Sequence, residues 1–138
     1  MSKKVLILSG SPRRGGNSDL LCDEFLRGAR EAGHEAEKLR VAEKKIAPCS
    51  GCYYCTAHDG ACVHKDDMAE VLQKMIDADV IVLASPVYFY SINAQLKAVI
   101  DRFQRYFEAR FARGIRPAIA THRDAVLLLT MGRYDPFA

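Results

Sequence analysis

A chain of 138 residues is long enough for one hydrophobic core and too short for two, so one domain over residues 1–138 is expected. Apolar residues at 49% and charged residues at 27% are globular proportions, which excludes wholesale disorder. Twenty Lys and Arg against seventeen Asp and Glu leave +3, too slight a field to make nucleic acid or an anionic membrane the main partner.

Met1-Ser2-Lys3-Lys4 leads directly into Val5-Leu6-Ile7-Leu8, which reads as a strand and not as the start of a signal peptide. Its apolar residues are continuous rather than alternating, as in a strand buried on both faces. Leu21, Phe25, Gly28, Ala29 and Ala32 then share a helical face, begun by Asn17 or Ser18 as N-cap and ended near Gly33. His34 to Val41 alternates enough for an edge strand. Met68, Val71, Leu72, Met75 and Ile76 recur at helical spacing, with Asp66 and Asp67 suited to the positive end of that helix. The two methionines read as core, not as ligands. Val80 to Ala84 is a second doubly buried strand. Leu96, Val99, Ile100, Phe103 and Phe107 form a third helical stripe that runs out near Gly114 and Pro117, and Ala125 to Leu129 is the last strand. This alternation predicts a doubly wound α/β sheet, whose ligands bind beyond the C-terminal ends of the strands. No apolar run approaches the roughly 20 residues needed to span a bilayer, so a cytoplasmic location with reduced thiols is expected.

The loop after the first strand, Ser9-Gly-Ser-Pro-Arg-Arg-Gly-Gly-Asn-Ser18, combines glycines with hydroxyls and a helix start, which together suit a phosphate. Gly10 and Gly15 have the Walker A spacing, but Gly16-Asn17 stands where Lys-Ser/Thr would be, which argues against ATP or GTP hydrolysis. Dinucleotide binding is disfavoured because G-x-G-x-x-G is absent and Leu39-Arg40 replaces the ribose-binding acid. A mononucleotide monophosphate such as FMN fits. After the third strand, Ser85-Pro-Val-Tyr-Phe-Tyr-Ser91 is an aromatic loop that could pack on a flat ring or cover a subunit contact.

Four of the five cysteines fall at Cys49, Cys52, Cys55 and Cys62, inside a loop at 46–65. The C-x2-C-x2-C-x6-C spacing suits a 4Fe-4S cubane, and leaves structural zinc and free or redox-active thiols open. His58 and His64 flank the loop and are not counted as ligands. Cys22 lies on the first helix and reads as packing.

Taken together, the Ser9–Ser18 loop, the four-cysteine run leading into Asp66-Asp67-Met68, the Ser85-Pro-Val-Tyr-Phe89 segment, Asn93-Ala-Gln-Leu-Lys97 and Asp101-Arg102-Phe103 resemble the NAD(P)H-dependent FMN reductases of the flavodoxin-like class. The compact cysteine motif is that of the iron-sulfur flavoproteins within it. The resemblance spans residues 3 to 132. It implies a three-layer α/β/α fold with a parallel sheet of order 2-1-3-4. Family members continue through a further helix, a fifth strand and a closing helix, so a shortened sheet with an apolar edge is expected here.

The same resemblance implies an FMN phosphate at Ser11, Arg13, Asn17 and Ser18. It places the flavin ring beside Pro86, Val87, Tyr88 and Phe89, with Thr130 and Gly132 closing the site. It also implies a 4Fe-4S cluster on the four cysteines, NAD(P)H as co-substrate, a small-molecule or protein electron donor and acceptor, and a homodimer or homotetramer. No general acid or nucleophile is required, because the cofactor carries the chemistry. A receiver-type signalling domain shares the fold but needs acids where Ser9-Gly10 and Ser85-Pro86 stand. The remaining alternative is a zinc-stabilised adaptor without redox activity.

Overall fold

The computed structural model describes residues 1–114 and 123–132. β1 (Lys4–Ser9) is followed by α1 (Asn17–Glu31), β2 (Glu35–Arg40) and a single 3-10 turn at Val41–Glu43. The cysteine-rich loop holds one short helical turn, α2 (Tyr54–Ala57), and leads into α3 (Met68–Asp77). Then come β3 (Val80–Tyr88), the two-residue β4 (Ser91–Ile92), α4 (Ala94–Asp101), α5 (Gln104–Arg113) and β5 (Asp124–Thr130). β2, β1, β3 and β5 lie side by side and parallel, and β4 folds back antiparallel on the end of β3. The expected order 2-1-3-4 is therefore observed, the predicted fourth strand being β5.

Successive residues of β1 point to opposite faces of the sheet, and both faces are covered. Val5 and Ile7 pack with Cys22 and Ala29 of α1, together with Val82 and Ala84 of β3. Leu6 and Leu8 pack on the other side with Met68, Val71, Leu72 and Met75 of α3 and with Leu96 and Val99 of α4. That two-sided burial is the physical reason for an unbroken apolar run. Each such side chain contributes about 1.5–3 kcal/mol by leaving water. Both methionines and Cys22 are core residues, as expected.

Four expectations are corrected. The buried stripe of α1 passes through Cys22, Phe25, Leu26 and Ala29, which turns Leu21, Gly28 and Ala32 toward solvent. Gly16, in extended conformation, caps α1, so Asn17 and Ser18 are already helical. The third helical stripe divides into α4 and α5, because Arg102 at the end of α4 is drawn inward to Asp66. Phe103 still packs on the core, whereas Phe107 is exposed and stacks on Phe111. Finally, Ser85 to Tyr88 is not loop: β3 continues through it, paired with β5 as far as Pro86 opposite Thr130. Pairing with β1 ends at Ala84, so Pro86 sits where its missing N–H breaks no ladder on that side. Leu127 and Leu129 of β5 are exposed among the described residues, in line with an apolar edge. Pro117 and the segment after Gly132 lie outside the described residues.

Candidate functional site

The loop between β1 and α1 leaves the sheet at Gly10, whose N–H donates to the Ala84 carbonyl at 2.8 Å. A methyl group on Gly10 would come within 2.7 Å of Asn93 Oδ1, 2.9 Å of Leu96 Cβ and 3.0 Å of the Ala84 carbonyl, so only glycine fits here. Beyond it, Ser11 is buried and its hydroxyl accepts the Arg13 N–H at 3.3 Å. No side chain caps α1, which leaves its N-terminal N–H groups and partial positive charge directed at the loop. Ser18 is buried in the first turn, and its hydroxyl lies 2.6 Å from the Thr130 hydroxyl at the end of β5. Arg13 and Asn17 are exposed beside it.

Asp19 holds this loop from behind. Its buried carboxylate accepts the Gly15 N–H at 2.9 Å and lies 3.0 Å from Lys38 Nζ and 2.6 Å from Arg40 Nη1. Burial alone would raise the Asp19 pKa, but the Gly15 hydrogen bond and the two cations outweigh it and hold the carboxyl below its usual range.

The second site segment is a hairpin. Val87 and Tyr88 pair with Ile92 and Ser91, leaving Phe89 and Tyr90 as the two-residue tip. Both tip residues have positive φ, 46° and 65°, the combination a tight primed turn needs and usually meets with Asn-Gly. Their rings are 95% and 96% exposed and meet edge to face at 5.8 Å. Two aromatics are thus held in a strained backbone at the C-terminal end of β3. Pro86 and Val87 are half-buried beneath them, and Tyr88 is exposed.

Asn93, fully buried, joins the two segments. Its Nδ2 donates to the Gly10 carbonyl, and its Oδ1 accepts the Ser85 hydroxyl at 3.1 Å, while its own N–H donates to Ser85 Oγ at 2.9 Å.

The cysteine loop forms a separate cavity of about 120 Å³, lined by Cys49, Cys52, Cys55 and Cys62 together with His64, Arg102, Arg105 and Glu108. Among the described residues no three potential ligands are yet gathered at one point. His64 Nε2 and Arg105 Nε are buried without hydrogen-bond partners. The Tyr54 N–H and the Ser50 hydroxyl lower the Cys52 thiol pKa, whereas burial raises that of Cys55. The lining of four thiols, two guanidinium groups and the Glu108 carboxylate has the donor types of a thiolate-bound centre.

The sequence profile of the NADPH-dependent FMN reductases matches residues 3–128. The chain belongs to this family. It is 48% identical over 99 residues to an iron-sulfur flavoprotein of Methanocaldococcus jannaschii, a match covering 72% of this chain and 51% of that one. An iron-sulfur flavoprotein of Archaeoglobus fulgidus is 41% identical over 103 residues, covering 75% of this chain and 46% of the relative. The NAD(P)H:quinone oxidoreductase from Methanothermobacter marburgensis superposes with a TM-score of 0.76 at 26% identity, over 98% of this chain and 68% of that one. The chain spans about half the length of the curated relatives it matches.

For this family member, the structure brings Ser18 and Thr130 together at the head of α1 and puts Pro86 beside Thr130 by strand register, while Ser11 makes its hydrogen bonds with Arg13 in the preceding loop. Gly132 follows β5 and is exposed. Sequence reasoning passed over Asp19, Asn93 and Arg102 as site residues. The signal for Asn93 and Arg102 was their place in the motifs that carried the resemblance. Asp19 had no signal beyond an acid in a first helical turn.

Proposed function

We propose that this chain is an FMN-dependent oxidoreductase that accepts electrons from NAD(P)H or a reduced carrier and passes them to a small-molecule or protein acceptor. The observation that carries the reading is the uncapped start of α1, flanked by buried Ser11 and by the Ser18–Thr130 hydroxyl pair, beside a strained aromatic hairpin. Ser11, Arg13, Asn17 and Ser18 hold the phosphate, with the α1 N–H groups donating to it. Pro86, Val87, Tyr88 and Phe89 orient the flavin ring and exclude water from one side, and Thr130 and Gly132 close the other. Bound there, FMN supplies hydride acceptance and onward electron transfer.

Cys49, Cys52, Cys55 and Cys62 hold a 4Fe-4S cluster, which supplies one-electron capacity when bound. The exposed β5 leucines and the hairpin tip support assembly as a homodimer or homotetramer. Among the described residues no helix is long and apolar enough to cross a membrane. A reducing, cytoplasmic setting suits the four thiols of the cysteine loop, none of them in a disulfide.

The test is a visible spectrum of the purified protein followed by flavin titration. Flavin bands and FMN binding are expected. Asn17→Ala with Ser18→Ala removes two phosphate partners, each worth about 1–3 kcal/mol, so FMN affinity should fall at least tenfold. Unchanged affinity in that variant would place the phosphate elsewhere, and a colourless protein with stoichiometric zinc would favour the adaptor.

A further inference from the structure

We propose that Arg102 is the positioning residue of the cysteine site: its guanidinium clasps both ends of the cysteine loop and sets a fixed positive charge in the cavity the thiols share. The proposal rests on the reading of that loop as a 4Fe-4S site.

Arg102 is only 5% exposed, at the end of α4. Nη1 donates to the Ala47 carbonyl at 2.9 Å and to Asp66 Oδ2 at 2.7 Å, and Nη2 donates to Asp66 Oδ1 at 3.2 Å. Asp66 returns the contact by accepting the Ala47 N–H at 2.9 Å, and it also accepts the Met68 N–H at 3.2 Å. Ala47 precedes the first loop cysteine and Asp66 follows the last, so one ion pair closes the segment that carries all four thiols. Closing a flexible segment at its base removes much of the freedom that ligand capture would otherwise have to remove.

A planar fork serves Ala47 and both carboxylate oxygens at once, which a lysine ammonium on a flexible stem does less well. Arg102 also lines the cavity beside Cys62. The bidentate Asp66 carboxylate compensates the burial of its charge. A buried ion pair is weak evidence for stability in its own right, since apolar packing would serve the fold as well. Its value here is to the thiols: a guanidinium beside Cys62, its charge shared with Asp66, favours an anionic centre and its more negative reduced form.

The experiment compares the full chain with R102M and R102K after anaerobic reconstitution with iron and sulfide, with near-ultraviolet circular dichroism as the control for folding. It reads iron per chain, the midpoint potential of the bound centre, and amide exchange of residues 47–66 in metal-free protein. The parent protein is expected to take up about four irons. R102M should take up less than half as much, with a lower potential in what loads and exchange of 47–66 faster by about tenfold. R102K should keep the potential near that of the parent while exchanging as fast as R102M, which separates the charge from the clasp. R102M with parental iron content, potential and exchange overturns the proposal. A parent that takes up no iron overturns the cluster reading instead, and the metal-free exchange then decides the clasp alone. If R102M does not fold, R102K carries the test, and parental exchange in R102K overturns the clasp.

Discussion

Replacing Asn93 by alanine should uncouple the phosphate loop from the ring segment. The cost can be worked from its contacts. The Gly10 carbonyl loses its side-chain donor, and a buried acceptor left unpaired costs about 1–3 kcal/mol. Ser85 loses less, because its single hydroxyl proton has the Pro86 carbonyl at 2.8 Å as an alternative acceptor and its oxygen still accepts the N–H of residue 93 at 2.9 Å. The space vacated by the amide adds about 1 kcal/mol. The sum is about 2–4 kcal/mol. With a urea dependence of about 1–3 kcal/mol per molar, the unfolding midpoint should drop by about 1–2 M. Flavin titration of the still-folded variant should show affinity weakened by about tenfold or more, a loss of about 1.4 kcal/mol, because the Gly10 carbonyl is no longer tied through residue 93 to Ser85. A midpoint within about 0.3 M of the parent would refute the energetic account. A lowered midpoint with unchanged flavin affinity would confine the bridge to the fold.

Gly10→Ala forces three contacts of 3.0 Å or less and should destabilise by about 1–3 kcal/mol in the same assay, whereas Gly16→Ala, whose nearest contact is 3.5 Å, should cost only about 0.5–1 kcal/mol, as a poorer N-cap without a clash. Phe89→Asn with Tyr90→Gly gives the hairpin tip the residues its positive φ angles favour, so thermal stability should rise by about 1–2 kcal/mol while flavin affinity falls. Unaltered flavin affinity would show that the rings do not serve the ligand. Asp66 and Asp19 both have carboxyl pKa values held below the ordinary range, Asp66 against burial by its Arg102 hydrogen bond. Their contribution is therefore complete above the ordinary carboxylate pKa and is lost as pH falls through the lowered folded values. Urea midpoints between about pH 2 and 5 should decline steeply in the parent and less steeply in D66N, and parallel profiles would contradict the assignment.

Much of this architecture was legible along the chain. The unbroken Val5–Leu8 run implied a strand covered on both faces, and the spacing of Met68, Val71, Leu72 and Met75 marked the α3 face that lies against Leu6 and Leu8. Those are local properties: side-chain period and helix-end chemistry are set by backbone geometry within a few residues. The cysteine spacing and the hydroxyl-rich loop were visible for the same reason.

Other features required the folded chain. Ser18 and Thr130 meet across a sequence separation of 112, and Asn93 reaches Gly10 across one of 83. No periodicity encodes such pairs, because they follow from which strands become neighbours and in what register. β3 outlasts its apolar run because β5 continues alongside it to Pro86 after β1 has ended. The helical stripe through Leu96 and Phe107 breaks at Arg102 because a buried guanidinium must meet a carboxylate, and Asp66 lies at the far end of the cysteine loop. Hydrophobic pattern could place Arg102 at the end of a helix, but only the packing of α4 against the base of the cysteine loop could supply its partner.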